Sequence, residues 1–130
     1  MAHVITFRSS KFDTATETPN PVNPIAGQSM LRWLCEQLRS SPYQTTTPEA
    51  EDWGWYVDVS EEGASYLVGA SADPDEPGAS IDWTVQIEKH RSLRDKVTGG
   101  NKMAADDALS ALVERIIRSD PAITDVERET

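Results

Sequence analysis

The clearest pattern in the chain is an unbroken alternation of apolar and polar residues from Ile81 to Glu88. A period of two predicts a strand with one buried face and one solvated face. Two similar stretches precede it, at residues 51–59 and 65–70, and the short segment 60–64 between them has the composition of a turn. We therefore predict an antiparallel meander of three strands. Its solvated face would carry Asp58, Asp82, Thr84, Gln86 and Glu88.

Three tryptophans fall within this predicted meander. The period of two places Trp53, Trp55, Val57 and Val59 on a single strand face. Trp55 and Trp83 are flanked by Val or Ile at this period, so we predict that both lie in the core. Trp53 opens its strand beside two carboxylates, and the sequence leaves its burial open.

Apolar residues recur at helical spacing in two further segments. The first predicts a helix over residues 27–39, and the second predicts a helix from about Met103 to Arg118. Because Cys35 lies on the first apolar stripe, we predict a packing role for its thiol and no role as a nucleophile. The stripes consist of Leu31, Leu34, Cys35 and Leu38 in the first helix, and of Leu109, Leu112, Val113 and Ile116 in the second.

The remaining segments complete the predicted architecture. Residues 4–7 predict a first strand, and residues 122–128 predict a short final strand. Residues 9–25 are rich in Pro and Thr and show no period, which indicates a long loop or extended segment. The predicted order is β-α-β-β-β-α with a final short strand left open. We expect one α+β domain over residues 1–130, a two-layer sandwich with two helices on one face of a mostly antiparallel sheet.

The composition excludes several classes of protein. The 130 residues include 22 acidic and 12 basic side chains, for a formal net charge of −10, which argues against direct binding of nucleic acid. A single cysteine excludes an intramolecular disulfide and favours a cytoplasmic location. No apolar run is long enough to span a membrane, so we expect no membrane partner.

The charge is also concentrated in blocks. Residues 40–88 carry eleven carboxylates and no Lys or Arg, whereas residues 89–102 carry five basic side chains and one acid. This separation predicts a polarised surface. The simplest alternative is that the exposed carboxylates only keep the chain in solution. The acids of the first block are Glu49, Glu51, Asp52, Asp58, Glu61, Glu62, Asp73, Asp75, Glu76, Asp82 and Glu88.

Signatures of catalysis and of metal binding are missing from the sequence. His3 and His90 are far apart along the chain, and neither forms a metal-binding spacing with Cys35. Asp73, Asp75 and Glu76 lie among prolines in a stretch that does not match a calcium-binding loop. We therefore predict no catalytic residues, no metal and no other cofactor.

The acidic block suggests a non-catalytic interaction protein, such as an inhibitor, an immunity-type protein or an adaptor. Its acidic face would meet a basic surface on a protein partner, because complementary charge steers association. A partly exposed aromatic side chain beside carboxylates is a suitable contact for Arg or Lys. The predicted partner-binding residues are Glu51, Asp52, Trp53, Asp58, Asp82 and Glu88.

Two other functions stay open at this stage. The basic segment 89–102 could bind phosphate or another small ligand, in an enzyme or a binding protein, because glycines before a helix expose backbone amides. Alternatively, the carboxylates could imitate nucleic-acid phosphates and occupy a DNA-binding protein. The terminal strands also leave a homodimer open. The predicted anion-binding residues are Arg91, Arg94, Lys96, Gly99, Gly100 and Asn101.

Overall fold

Within the residues that the structure describes, seven antiparallel strands form one open sheet, and two helices pack on one of its faces. The computed structural model describes residues 3–73, 80–90, 97–99 and 104–129. The predicted α+β class and two-layer arrangement are therefore confirmed. The strands are β1 (His3–Ser9), β2 (Gln44–Thr45), β3 (Glu49–Glu51), β4 (Gly54–Glu61), β5 (Ala64–Ser71), β6 (Ile81–Lys89) and β7 (Ile123–Glu129). The helices are α1 (Gln28–Leu38) and α2 (Ala108–Ser119).

The strand order across the sheet is β2-β4-β5-β6-β1-β7, and β3 pairs with β4 beside β2. The predicted meander is confirmed as β4, β5 and β6, and the final strand that the sequence left open is present as β7. The predicted element order is incomplete because it lacks β2 and β3. These strands have only two and three residues, too few to show a period of two.

The helix-facing side of the sheet forms the core, and its side chains follow the period of two. In β4, β5 and β6 the buried residues alternate with exposed or half-buried ones, except at Gly54 and Gly69, which are buried on the other face. Trp55 and Trp83 are both buried, as predicted. Cys35 is half-buried against the core, and burial raises the pKa of its thiol, which agrees with a packing role. The largest fully buried side chains include Trp83, Ile5, Met30, Leu31, Leu34, Leu38, Ile87, Leu109 and Ile117.

Helix α1 lies within one residue of the predicted bounds, whereas α2 begins later than predicted. Residues 104–106 are not helical, and Asp107 is the N-cap of α2. Its carboxylate accepts a hydrogen bond from the backbone N–H of Ser110. Asp107 falls inside the helix predicted from about Met103, but it lies before the helix, because an aspartate satisfies a free amide better from the cap position.

Trp53 does not lie on the same face as Trp55. It precedes β4 in the turn after β3, and Gly54, the first residue of β4, has a φ of 149°. This backbone conformation is open to glycine and breaks the alternation between the two tryptophans. The predicted shared face of Trp53, Trp55, Val57 and Val59 is wrong for Trp53, whose ring lies over the opposite side of the sheet, at Gly69.

The segment 9–25, whose first residue is the last residue of β1, is otherwise a loop that is tied to the rest of the molecule by side-chain hydrogen bonds. A 3-10 turn spans Thr14–Thr16, and the carboxylate of Glu17 accepts hydrogen bonds from the backbone N–H groups of Gly27, Gln28 and Ser29. These are free amides at the start of α1, whose N-cap Gly27 has no side chain to bind them. Glu17 therefore caps α1 from ten residues upstream.

Candidate functional site

The sheet face away from the helices, here called the open face, is the candidate site. The register places its side chains in rows that run across the strands. One row contains Asp58, Leu67 and Glu88 on β4, β5 and β6. The next contains Tyr56, Gly69, Gln86, Val4 and Glu129, and continues to Glu49 on β3.

Carboxylates dominate the open face. Among the described strand positions on this face, Arg8 is the only Lys or Arg, and it pairs with Asp82 through an Nη1 to Oδ1 distance of 2.7 Å. His90 follows β6 and lies 3.6 Å from Asp58. The face therefore carries a clear excess of negative charge. Its carboxylates include Glu49, Asp58, Asp82, Glu88, Glu127 and Glu129, all exposed.

Half-buried apolar and aromatic side chains lie between these carboxylates. Leu67 lies between Asp58 and Glu88, which are about 10 Å apart at the usual strand spacing. Tyr56 donates a hydrogen bond from its hydroxyl to Glu49, at 2.7 Å. Val4 of β1 lies beside Gln86 of the neighbouring strand. The open face therefore has an apolar centre and an acidic rim.

The indole ring of Trp53 lies against the backbone of Gly69, in the middle of β5. Any Cβ at position 69 would overlap the benzo edge of the indole, and it would also come 3.2 Å from Cγ of Gln86. The sequence analysis missed Gly69. A lone glycine inside the strand pattern 65–70 was the available signal, since such a glycine often marks a close approach.

The loop 9–25 holds the turn that carries Trp53. Asn20 donates from Nδ2 to the carbonyl oxygens of Glu51 and Gly54, at 3.0 and 2.9 Å. Asn23 donates from Nδ2 to the carbonyl of Asp52, at 2.9 Å. Hydrogen bonds thus engage the backbone on both sides of Trp53, which fixes the position of the indole.

A pocket of about 410 Å³ lies beside this indole. The carboxylates of Asp73 and Asp82 lie on its wall, and Pro24 and Ile25 of the loop close one side. The loop wall is anchored, because Trp55 donates from Nε1 to the carbonyl of Ile25, at 3.2 Å. Ser71, Ala72 and Thr84 complete the lining.

The predicted partner-binding residues fall into two groups in the structure. Trp53 and Asp82 line the same pocket, and Glu51 and Asp52 directly precede Trp53 in its turn. Asp58 and Glu88 lie at the opposite end of the strands, on either side of Leu67. All six residues belong to the open face or its margin, although they do not form one compact cluster.

Most of the predicted anion-binding residues lie outside the described part of the chain: Arg91, Arg94, Lys96, Gly100 and Asn101. Gly99 is described and has a φ of 80°. That hypothesis therefore stays a prediction.

A buried polar cluster joins β1, β7 and α2, and the sequence analysis missed it. Nδ1 of His3 lies 2.8 Å from Oγ of Ser110 and 3.2 Å from Nη2 of Arg128. Because a guanidinium only donates, Nδ1 is the acceptor, and the ring is neutral with its proton on Nε2. Burial and the charge of Arg128 lower the pKa of His3.

Asp107 also belongs to this cluster and accepts hydrogen bonds from the Tyr66 hydroxyl and from the Ser110 amide. Burial and the bond to Asp107 raise the pKa of Tyr66 above its usual range. Ser110 is fully buried, so its hydroxyl cannot reach a substrate. Although the cluster contains Ser, His and Asp, its geometry is that of a structural cluster.

Within the described residues, no group of three His, Cys, Asp or Glu side chains is placed to hold a metal ion. None of the described helices has the length and apolar character needed to cross a membrane. Comparison with protein-family models, with curated proteins and with solved structures finds no match to this chain. The candidate site is therefore interpreted from its own geometry and charge.

Proposed function

We propose that this protein is a non-catalytic interaction protein that binds a basic protein partner through its open face. The observation that carries this proposal is the excess of exposed carboxylates on that face, with Arg8 as the only Lys or Arg among its described strand positions. An inhibitor, an immunity-type protein or an adaptor would act in this way.

The arrangement of the open face resembles the anatomy of protein interfaces, in which an apolar centre is enclosed by a polar rim. The six strands of the main sheet path span about 24 Å, and an eight-residue strand is about 26 Å long. A flat area of about 600 Å² results, compared with about 800 Å² buried per partner in a standard interface. The side chains of the face and its margin add to this area, so the surface suits a modest interface.

The charge of the face would act mainly on the rate of association. A surface of one sign attracts a partner of the opposite sign over roughly a Debye length, and salt screens this attraction. Single exposed ion pairs contribute little to affinity. We therefore expect an association rate that falls steeply with ionic strength, and a dissociation rate that changes less.

Affinity capture from lysate of the source organism, at low and at high salt, tests this proposal. The open-face variant Asp58→Asn/Glu88→Gln removes two carboxylates beside Leu67. The matched control Glu36→Gln/Asp106→Asn removes two exposed carboxylates away from the sheet. We expect the open-face variant to lower the capture of the partner and its association rate, and the control to leave both unchanged.

The proposal is wrong if no partner is captured, if both variants capture it equally, or if its association rate is independent of salt. Mimicry of a nucleic acid is a special case in which the partner is itself a nucleic-acid-binding protein. Competition by duplex DNA for the captured partner identifies that case.

A further inference from the structure

We propose that the pocket between Trp53 and Asp82 receives an arginine side chain of the basic partner. This inference rests on the proposed function and specifies the partner group that the pocket recognises. The pocket lies at the end of β5 and the start of β6, where the loop 9–25 meets the open face. It combines an aromatic wall, carboxylates and an apolar entrance.

The aromatic wall is provided by Trp53. Its ring rests on Gly69 and beside Gln86, yet the residue is only partly buried, so part of the indole remains accessible. A guanidinium stacked on an indole gains both cation–π attraction and planar contact. Because Asn20 and Asn23 fix the turn, little side-chain freedom is lost when a cation binds.

The carboxylate of Asp82 supplies the charged partner for such a cation. Arg8 donates to Oδ1 of Asp82 and also, through Nη2, to the carbonyl of Ser80 at 2.7 Å, which holds the carboxylate in place. The Asp82 side chain is still 66% exposed. A carboxylate has two oxygens and several lone pairs, so an exposed carboxylate can accept from more than one donor.

The balance of charge around the pocket favours a cation over an anion. Asp73 lies on the pocket wall, and Glu51 and Asp52 directly precede Trp53. Together with Asp82 these are four carboxylates, and Arg8 pairs with one of them, Asp82. An incoming anion would be repelled, whereas a guanidinium would add the positive charge that the site attracts.

The size and the lining of the pocket suit a single side chain. Its volume of about 410 Å³ is near the lower end of the roughly 300–1,000 Å³ typical of ligand sites. Pro24, Ile25 and Ala72 offer apolar surface to an aliphatic stem, and the carboxylates face the charged head. Arginine fits better than lysine, because a planar fork can stack on the indole and contact a carboxylate at once.

Titration with short peptides, followed by NMR of the tryptophan indole N–H signals, tests this inference without the natural partner. The probe is the capped peptide Gly-Gly-Arg-Gly-Gly, and the comparison peptides carry lysine or neutral citrulline in place of arginine. Loss of one signal in Trp53→Phe assigns the Trp53 resonance. We expect that resonance to shift saturably with the arginine peptide, more weakly with lysine, and without saturation for citrulline.

Variants establish which groups bind the peptide. Asp82→Asn should weaken binding of the arginine peptide by about three- to tenfold, as expected for a charge-assisted contact. Glu36→Gln, which removes one exposed carboxylate from α1, should bind like the parent. Unchanged indole signals of Trp33, Trp55 and Trp83 would show that Asp82→Asn preserves the fold.

The inference is overturned if the Trp53 signal does not respond to the arginine peptide, if citrulline binds equally well, or if Asp82→Asn has no effect. Such a result leaves the proposed function intact when the partner is still captured in a salt-dependent manner. If the peptide binds but no partner is captured, the pocket is a cation site and the proposed function fails.

Discussion

The indole of Trp53 occupies the space in which a side chain at Gly69 would lie, so the two residues form one structural unit on the open face. Gly69→Ala should displace the ring and lower the free energy of unfolding by about 1–3 kcal/mol, the usual cost of overpacking. Denaturant unfolding measures the loss, and the Trp53 indole NMR signal reports the displacement.

A double-mutant cycle provides the control for this prediction. In a Trp53→Ala background the overlap is gone, and Gly69→Ala should become stabilising by about 0.5–1 kcal/mol, because glycine is unfavourable inside a strand. If Gly69→Ala costs the same in both backgrounds, the contact between the indole and the glycine does not determine the effect.

Asn20 should control the rigidity of the turn that carries Trp53. Asn20→Asp keeps an oxygen to accept from the amides of Val22 and Asn23, but it loses the Nδ2 donor to the carbonyls of Glu51 and Gly54. We expect a loss of about 1–3 kcal/mol in unfolding free energy. Amide hydrogen exchange in residues 51–54 should also become faster.

Asn23→Ala serves as the comparison, because it removes a single hydrogen bond to this turn. Its cost should be smaller than that of Asn20→Asp. Equal exchange rates in the parent and in both variants would mean that the loop does not hold the turn.

Glu17 should stabilise α1 although it lies outside the helix. Glu17→Gln keeps one oxygen acceptor but removes the negative charge facing the helix start. We expect a loss of about 1–2 kcal/mol in unfolding free energy, similar to the loss of an N-cap. Glu36→Gln on the same helix, where Glu36 is exposed and pairs with Arg39, should change stability by less than about 0.5 kcal/mol. A loss no larger in Glu17→Gln than in Glu36→Gln would contradict this role.

His3 should make the stability of the protein depend on pH. Because burial and Arg128 lower its pKa in the folded state, the unfolded chain binds the proton more tightly. The free energy of unfolding should therefore decrease as the pH falls below about 6.5, the ordinary value for histidine, until the lowered folded-state pKa is passed. The carboxylates Glu114 and Asp120, whose pKa values are also lowered, contribute at more acidic pH.

Urea unfolding between pH 8 and pH 5 measures this dependence. His3→Asn keeps an acceptor near Ser110 and Arg128 but does not titrate. The unfolding free energy of this variant should therefore change less between pH 8 and pH 5 than that of the parent. A parental slope in His3→Asn would show that another group causes the pH dependence.

The sequence predicted those parts of the fold that have a strong period. The alternation in 81–88 and the apolar stripe of α1 defined their elements nearly to the residue, because burial on one side imposes the pattern. Two-residue and three-residue strands have no period, so β2 and β3 were missed. The position of Trp53 could not be predicted by alternation, because the conformation of Gly54 interrupts it.

The candidate site was predictable only in part, for a similar reason. The carboxylates of β4 and β6 could be assigned to the solvated face from the period of two. Their neighbours depend on the register of β6 with β1 and of β1 with β7, which pairs residues far apart in the chain, such as Val4 with Gln86 and with Glu129. Asn20 and Asn23, which hold the Trp53 turn, lie in a segment without any periodic pattern. Only the folded conformation of the loop brings their side chains to the carbonyls of that turn.

The position of β1 between β6 and β7 has a consequence for how the chain folds. Strand β1 pairs with β6 along one edge and with β7 along the other. Both edges are therefore paired only after β6 and then β7 have been synthesised. Sheets that depend on such distant pairings fold slowly, on the order of milliseconds to seconds. During synthesis, one edge of β1 stays open until residues 123–129 have left the ribosome, and in that interval the chain is most exposed to aggregation.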